Sequence, residues 1–111
     1  MAQNETVDPT TRKAFNSFAE FYPYYLTEHS NDTCRRLHYA GSLLVLAIIA
    51  YALLSFNLWW LLAVPVAGYG FAWVGHFFFE HNKPATFDYP LYSLMGDWVM
   101  LRDALTGRIR F

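Results

Sequence analysis

The sequence predicts an all-α membrane protein, a two-span helical hairpin flanked by amphipathic helices at the cytoplasmic interface. Three observations carry this prediction. From Leu37 to Phe79 there is no Asp, Glu, Lys or Arg, and at 1.5 Å per helical residue such a run can cross a hydrocarbon core of ~30 Å twice. The run is divided once, by the turn-forming Ser55-Phe56-Asn57. All eight Lys and Arg flank it: Arg12, Lys13, Arg35 and Arg36 before, Lys83, Arg102, Arg108 and Arg110 after.

The chain reads as one membrane-embedded domain, residues 1–111. With 55% hydrophobic and only 15% charged residues it has little polar surface to cover a soluble sphere. A soluble bundle with two buried core helices would need polar helices around them, and the chain has few. A net charge of -1 gives no basic patch for nucleic acid. The opening residues MAQNETVDPTTRK are polar and lack the apolar stretch and cleavage site of a signal peptide, so nothing is expected to be removed. The single cysteine, Cys34, offers neither an intrachain disulfide nor a zinc-binding CxxC pair and reads as a small filler residue.

Taken in order, Phe15, Phe18, Tyr22 and Leu26 share a helical face, interrupted at Pro23. Ser30-Asn31-Asp32-Thr33 is rich in N-cap residues and leads into a first span of roughly 39–56. A second span covers roughly 58–79, with Trp59 and Trp60 at the turn where aromatic belts sit and Pro65 expected to bend the helix. Gly68, Ala72 and Gly75 form a smooth face that can approach Gly41, Ser42 and Ala47 of the first span, and self-association of the chain is left open. Leu91, Leu94, Met95, Trp98 and Leu105 make the last amphipathic face after Pro90, with Asp88 as its start signal and Gly107 as its stop. The positive-inside rule puts both termini in the cytoplasm, which means the inner membrane of a bacterium or the endoplasmic reticulum of a eukaryote.

Four histidines punctuate this pattern. A hairpin brings His38, at the start of the first span, and His76, near the end of the second, to the same membrane face, and His29 can fold towards them from the connection. On an α-helix His76 and Glu80 share a face, whereas His81 lies about 140° away and converges only if the helix ends there; the approach to Pro84 allows that ending. Histidines plus a carboxylate leave coordination positions open on iron, zinc or copper, which suits an Fe(II) oxygenase. Ionisable groups in a span default to functional candidates, although the spacings match no standard zinc motif. Arg35, Arg36 and Lys83 are candidates for holding a substrate carboxylate at the interface, a placement that topology alone also explains.

Phe21-Tyr-Pro-Tyr-Tyr-Leu-Thr-Glu-His29, Arg36-Leu-His38, Gly75-His-Phe-Phe-Phe-Glu80 and Pro84-Ala-Thr-Phe87, in this order around two hydrophobic spans, resemble the 2-hydroxy-fatty-acid (2-hydroxypalmitate) dioxygenase family of small membrane proteins. The resemblance spans most of the chain, and its short form looks bacterial. It implies Fe(II)-dependent alpha-oxidation, in which O2 attacks a 2-hydroxy fatty acid, CO2 leaves and an acid one carbon shorter remains. It also implies a metal-site role for His29, His38, His76 and Glu80, with His81 a less regular member. Membrane lipid would be the medium from which substrate arrives. Three rival readings predict different behaviour: a haem-binding electron carrier, a non-catalytic scaffold whose histidines and Asp97 cap helix ends, and a metal-dependent lipid hydrolase that consumes no O2.

Overall fold

The computed structural model describes residues 15–111, so Arg12 and Lys13 lie outside the described residues. All regular secondary structure among these residues is helical, with four α-helices: α1 Phe18–Glu28, α2 Asp32–Leu54, α3 Ala63–Val74 and α4 Pro90–Leu105. Short 3-10 turns occupy Leu58–Leu62 and Ala85–Phe87, and a π-helical turn, Gly75–Glu80, continues α3.

The first long helix begins seven residues before the expected span. Its start is set by a cap and not by hydropathy: Asn31 Oδ1 accepts the Cys34 N–H at 3.0 Å, and Asp32 sits in the first turn, where the helix dipole favours an acid. The helix ends at Leu54, and Phe56, at φ 54°, makes the turn. Asn57 then caps the 3-10 turn by accepting the Trp59 N–H at 3.2 Å. Pro65 occupies the first turn of α3, where its missing N–H leaves no intrahelical acceptor unpaired, so the expected bend becomes a junction between 3-10 and α geometry. Asp32–Leu54 and Leu58–Glu80 are each long and apolar enough to cross a membrane.

Three glycine contacts, two of them tight, fix how these helices run. A Cβ on Gly75 would stand 2.9 Å from Cys34 Sγ, one on Gly41 3.0 Å from Phe71 Cβ, and one on Gly68 3.6 Å from Val45 Cγ2. The pairs 34 with 75, 41 with 71 and 45 with 68 are antiparallel. Ala47, expected in this contact, faces outward, and Val45 is the buried residue there. Around the rest of both helices the surface is apolar: Leu43, Leu46, Leu53, Val66 and Trp73 are among the exposed side chains.

The core lies at one end, where α1 and α4 close on the start of α2. Phe21, Tyr25, Tyr39, Met100 and Leu101 are buried together, ringed by partly buried Phe15, Phe18, Tyr22, Tyr24, Tyr89 and Tyr92. The stripe on α1 is therefore centred on Phe21 and Tyr25, and the helix runs unbroken through Pro23. Tyr22 Oη donates to Asp103 Oδ2 at 2.8 Å, tying α1 to α4.

On α4 most of the predicted apolar face points outward, and only Trp98 of that set packs partly buried against the core. Leu91, Leu94, Met95 and Leu105 are exposed, while Ser93, Gly96, Met100, Asp103 and Ala104 face inward. The cap position of this helix is Tyr89, one residue after the expected Asp88, with Pro90 at the first helical position. Gly107, at φ +80°, ends it as expected, its N–H bonding Ala104 O at 3.3 Å.

Candidate metal centre

The three-residue step between α1 and α2 places His29 at the C-cap of α1, with its N–H on Leu26 O at 3.2 Å. His38 follows in the second turn of α2, and His76 arrives from the π turn on the antiparallel neighbour. All three are buried. Their rings stand nearly perpendicular, at 76° to 90°, with centroids 4.4 Å to 5.0 Å apart. One ligand atom from each lies within 4.8 Å of the others, a group able to hold a metal ion.

Each ring is oriented by an oxygen that only accepts. His29 Nδ1 bonds Tyr25 O at 2.7 Å, and His38 Nδ1 bonds Cys34 O at 2.8 Å. His76 Nδ1 meets Asn82 Oδ1 at 2.7 Å, and the amide orientation follows from its other end, because Asn82 Nδ2 donates to Glu28 O at 3.1 Å. Each Nδ1 therefore carries hydrogen, and each neutral ring turns a lone pair outward from Nε2. His29 Nε2 and His38 Nε2 then face each other at 3.2 Å. Burial, followed by the neighbouring His38 and His76, holds the His29 imidazole well below its ordinary protonation range, so no proton relieves the contact. A shared cation does relieve it, and the donor set fits a divalent first-row metal.

Glu80 is not brought into this group. Its carboxylate accepts from the Asn31 N–H and from Ser30 Oγ (3.3 Å), at the start of α2. The reason is a competing claim on the carboxylate, which these two donors at the start of α2 hold in place. His81 does end the helix, but in the left-handed conformation (φ 59°) and with its side chain exposed. Arg35 donates through Nε to His29 O and through Nη2 to Leu26 O at 3.5 Å, closing the end of α1. Arg36 and Lys83 are exposed.

A cavity of about 270 Å³ opens from the histidines. Val45 of α2, Gly68 and Ala72 of α3, and Leu94 and Trp98 of α4 contribute to its walls, and its lining has no Lys or Arg. Cys34 is fully buried against Gly75, the filler role expected of it.

Sequence reasoning missed the residues that hold the ligands in place. Asn82 gave no signal beyond an exit turn. Tyr25 stacks on His29 with ring centroids 4.0 Å apart, and its hydroxyl donates to Asp97 Oδ1. Burial pushes the Asp97 carboxyl up to about 6, against the opposing pull of that hydrogen bond, and burial followed by Asp97 raises the Tyr25 phenol well above its ordinary value. An acid inside the apolar run Leu94 to Leu101 was the available signal for Asp97. Gly96 completes the arrangement, because a Cβ there would stand 2.9 Å from the Tyr25 ring, so only the bare backbone of α4 lets the ring sit where it stacks on His29.

No curated protein and no solved structure matches the chain. The family model described as "2-hydroxy-palmitic acid dioxygenase Mpo1-like" matches residues 15–109, a stretch that holds all three convergent histidines. On that match the chain belongs to the Mpo1-like 2-hydroxy-palmitic acid dioxygenase family.

Proposed function

We propose that this protein is an Fe(II)-dependent membrane dioxygenase that shortens 2-hydroxy fatty acids by one carbon. The observation that supports this most is the convergence of three neutral imidazoles whose Nδ1 hydrogens are committed to Tyr25, Cys34 and Asn82, leaving their Nε2 lone pairs for a metal. The overall reaction is R–CH(OH)–COOH + O2 → R–COOH + CO2 + H2O. The bond between C1 and C2 breaks, the four electrons taken up by O2 come from those two carbons, and no external reductant is consumed.

His29, His38 and His76 would hold the iron. When bound, Fe(II) supplies the one-electron chemistry that lets O2 react with a closed-shell substrate. The chain's own part is positioning. Tyr25, Asn82 and the α2 backbone fix the ligand rings, and the apolar cavity walls accept the alkyl chain while excluding water. Since the cavity has no cationic side chain, a substrate carboxylate would be met by the metal and by neutral donors.

The two long helices are read as a membrane hairpin with both termini cytoplasmic. Arg35, Arg36, Lys83, Arg102, Arg108 and Arg110 all lie outside the apolar run, and the turn at Ser55 to Asn57 carries no charge. The metal group then sits at the cytoplasmic mouth, where the head group of a membrane-dissolved acid resides. Three imidazoles meeting at one point do not suit a haem, which takes at most two, one on each face of its plane.

The deciding experiment is metal analysis of detergent-purified wild type and His76→Ala, with O2 uptake on a 2-hydroxy fatty acid. Near-stoichiometric iron and substrate-dependent uptake, both lost in the variant, are expected. Wild type that takes up no iron under anaerobic reconstitution would overturn the reading.

A further inference from the structure

One turn of α4 presents two polar side chains to the histidine cavity. Ser93 and Asp97 are four residues apart, share a helix face and both line the cavity. Ser93 Oγ is buried and has no hydrogen-bond partner in the protein. A helical serine commonly returns its hydroxyl to the carbonyl one turn back, and Ser93 does not; its backbone N–H bonds Tyr89 O at 2.8 Å. Leaving a buried hydroxyl unpaired is costly, so it marks a position built for a partner that the protein does not supply. The other such atom among the described residues, Tyr39 Oη, belongs to a residue that does not line this cavity.

Asp97 offers the complementary half. Its Oδ1 accepts the Tyr25 hydroxyl, and through Tyr25, stacked on His29, the carboxyl is one side chain from the metal group. A donor and an acceptor on one helix face match an alcohol, which is both at once. Along the rest of the wall, Val45, Gly68, Ala72 and Leu94 are apolar and match an alkyl chain.

We propose that Ser93 and Asp97 read the 2-hydroxyl of the substrate, Ser93 donating to its oxygen and Asp97 accepting its hydrogen, and so select hydroxylated over plain fatty acids. This rests on the reading given under Proposed function. A plain acid of the same length fills the apolar wall equally well but leaves both polar groups unmet, and sites built to bond a hydroxyl discriminate strongly against analogues that lack it.

Ser93→Ala is the clean test, since the serine hydroxyl has no protein partner to lose and the fold should tolerate its removal. Iron-loaded full-length protein in detergent, kept anaerobic, is titrated with 2-hydroxyhexadecanoate and with hexadecanoate against a fluorescent fatty acid. Wild type should prefer the hydroxy acid. Ser93→Ala should lose about threefold to tenfold in affinity for the hydroxy acid, the worth of one hydrogen bond, with plain-acid affinity, iron content and melting temperature unchanged. Ser93→Cys, similar in size but a weak donor, should behave alike and serves if the alanine variant folds poorly. A preference that survives both substitutions, or an equal loss for both acids, overturns the assignment while leaving the dioxygenase reading standing. Wild type that shows no preference overturns the assignment and counts against that reading as well.

Discussion

The Nε2 atoms of His29 and His38 face each other at 3.2 Å, and neither has a hydrogen to offer the other, because Tyr25 O and Cys34 O hold the hydrogens on the far side of each ring. Such a contact is unfavourable until something positive stands beside it. Stripping metal with a chelator should therefore lower the melting temperature of the wild type, and a site filled at about 100 times its Kd contributes roughly 2.7 kcal/mol. His38→Ala should melt at one temperature with or without chelator. Equal sensitivity in the two proteins would contradict metal binding at this group.

Asn82→Ala removes the acceptor that fixes the His76 ring. Metal affinity, read by competition with a coloured chelator, should fall about 10-fold to 100-fold, the usual cost of losing such a support. Binding as tight as wild type would mean that His76 is held by its helix alone.

Glu80→Gln separates a ligand from a brace. The carboxylate bonds the Asn31 N–H and Ser30 Oγ at the start of α2, so the variant should lose about 1–2 kcal/mol of stability through weaker hydrogen bonds and a weaker helix-end interaction. Its metal content should remain that of wild type. Loss of metal with unchanged stability would return Glu80 to the ligand set.

Gly96→Ala should destabilise the protein by about 1–3 kcal/mol, as overpacking does. The new methyl would meet the Tyr25 ring at 2.9 Å, and any shift of that ring disturbs its stacking on His29 and its bond to Asp97. Thermal melts report the cost, and chelator competition should show weakened metal binding. An unaffected variant would show that the clamp has slack.

The Asp97 carboxyl protonates near 6 when folded, against 3.8 for a free side chain. Between these values the unfolded chain releases a proton that the folded chain keeps. Its contribution to stability is therefore full below about pH 4 and is lost as pH rises through about 6. Asp97→Asn should flatten this part of a denaturation-against-pH profile. Tyr25→Phe, which removes the hydroxyl that lowers the Asp97 value, should move the loss to higher pH. A wild-type profile flat between those limits would contradict the burial of Asp97.

Much of the fold was legible because charge is such a blunt signal: a run from Leu37 to Phe79 with no ionic side chain, divided by Ser55-Phe56-Asn57, marks two long helices and their turn. The meeting of His29, His38 and His76 follows once those helices run antiparallel. Residue placement near the ends was less legible. The extension of α2 back to Asp32 depended on one Asn31 side chain, which hydropathy does not register. That Leu91, Leu94 and Met95 form one apolar face was legible, but not that this face is exposed, because amphipathic periodicity does not say which side meets the protein. Asn82, Ser93 and Asp97 left little trace, since a polar residue near an apolar run looks the same whether it supports a ligand or ends a helix.

The π turn at Gly75–Glu80 amounts to one residue more than an α-helix needs for the same path. Removing any one of Phe77, Phe78 or Phe79 would let the segment relax to α spacing while its two ends keep their places. His76 and Asn82 would still meet, and Glu80 would still reach the start of α2. The π turn is thus the one stretch of this helix whose length can change by a residue without moving the polar groups on either side.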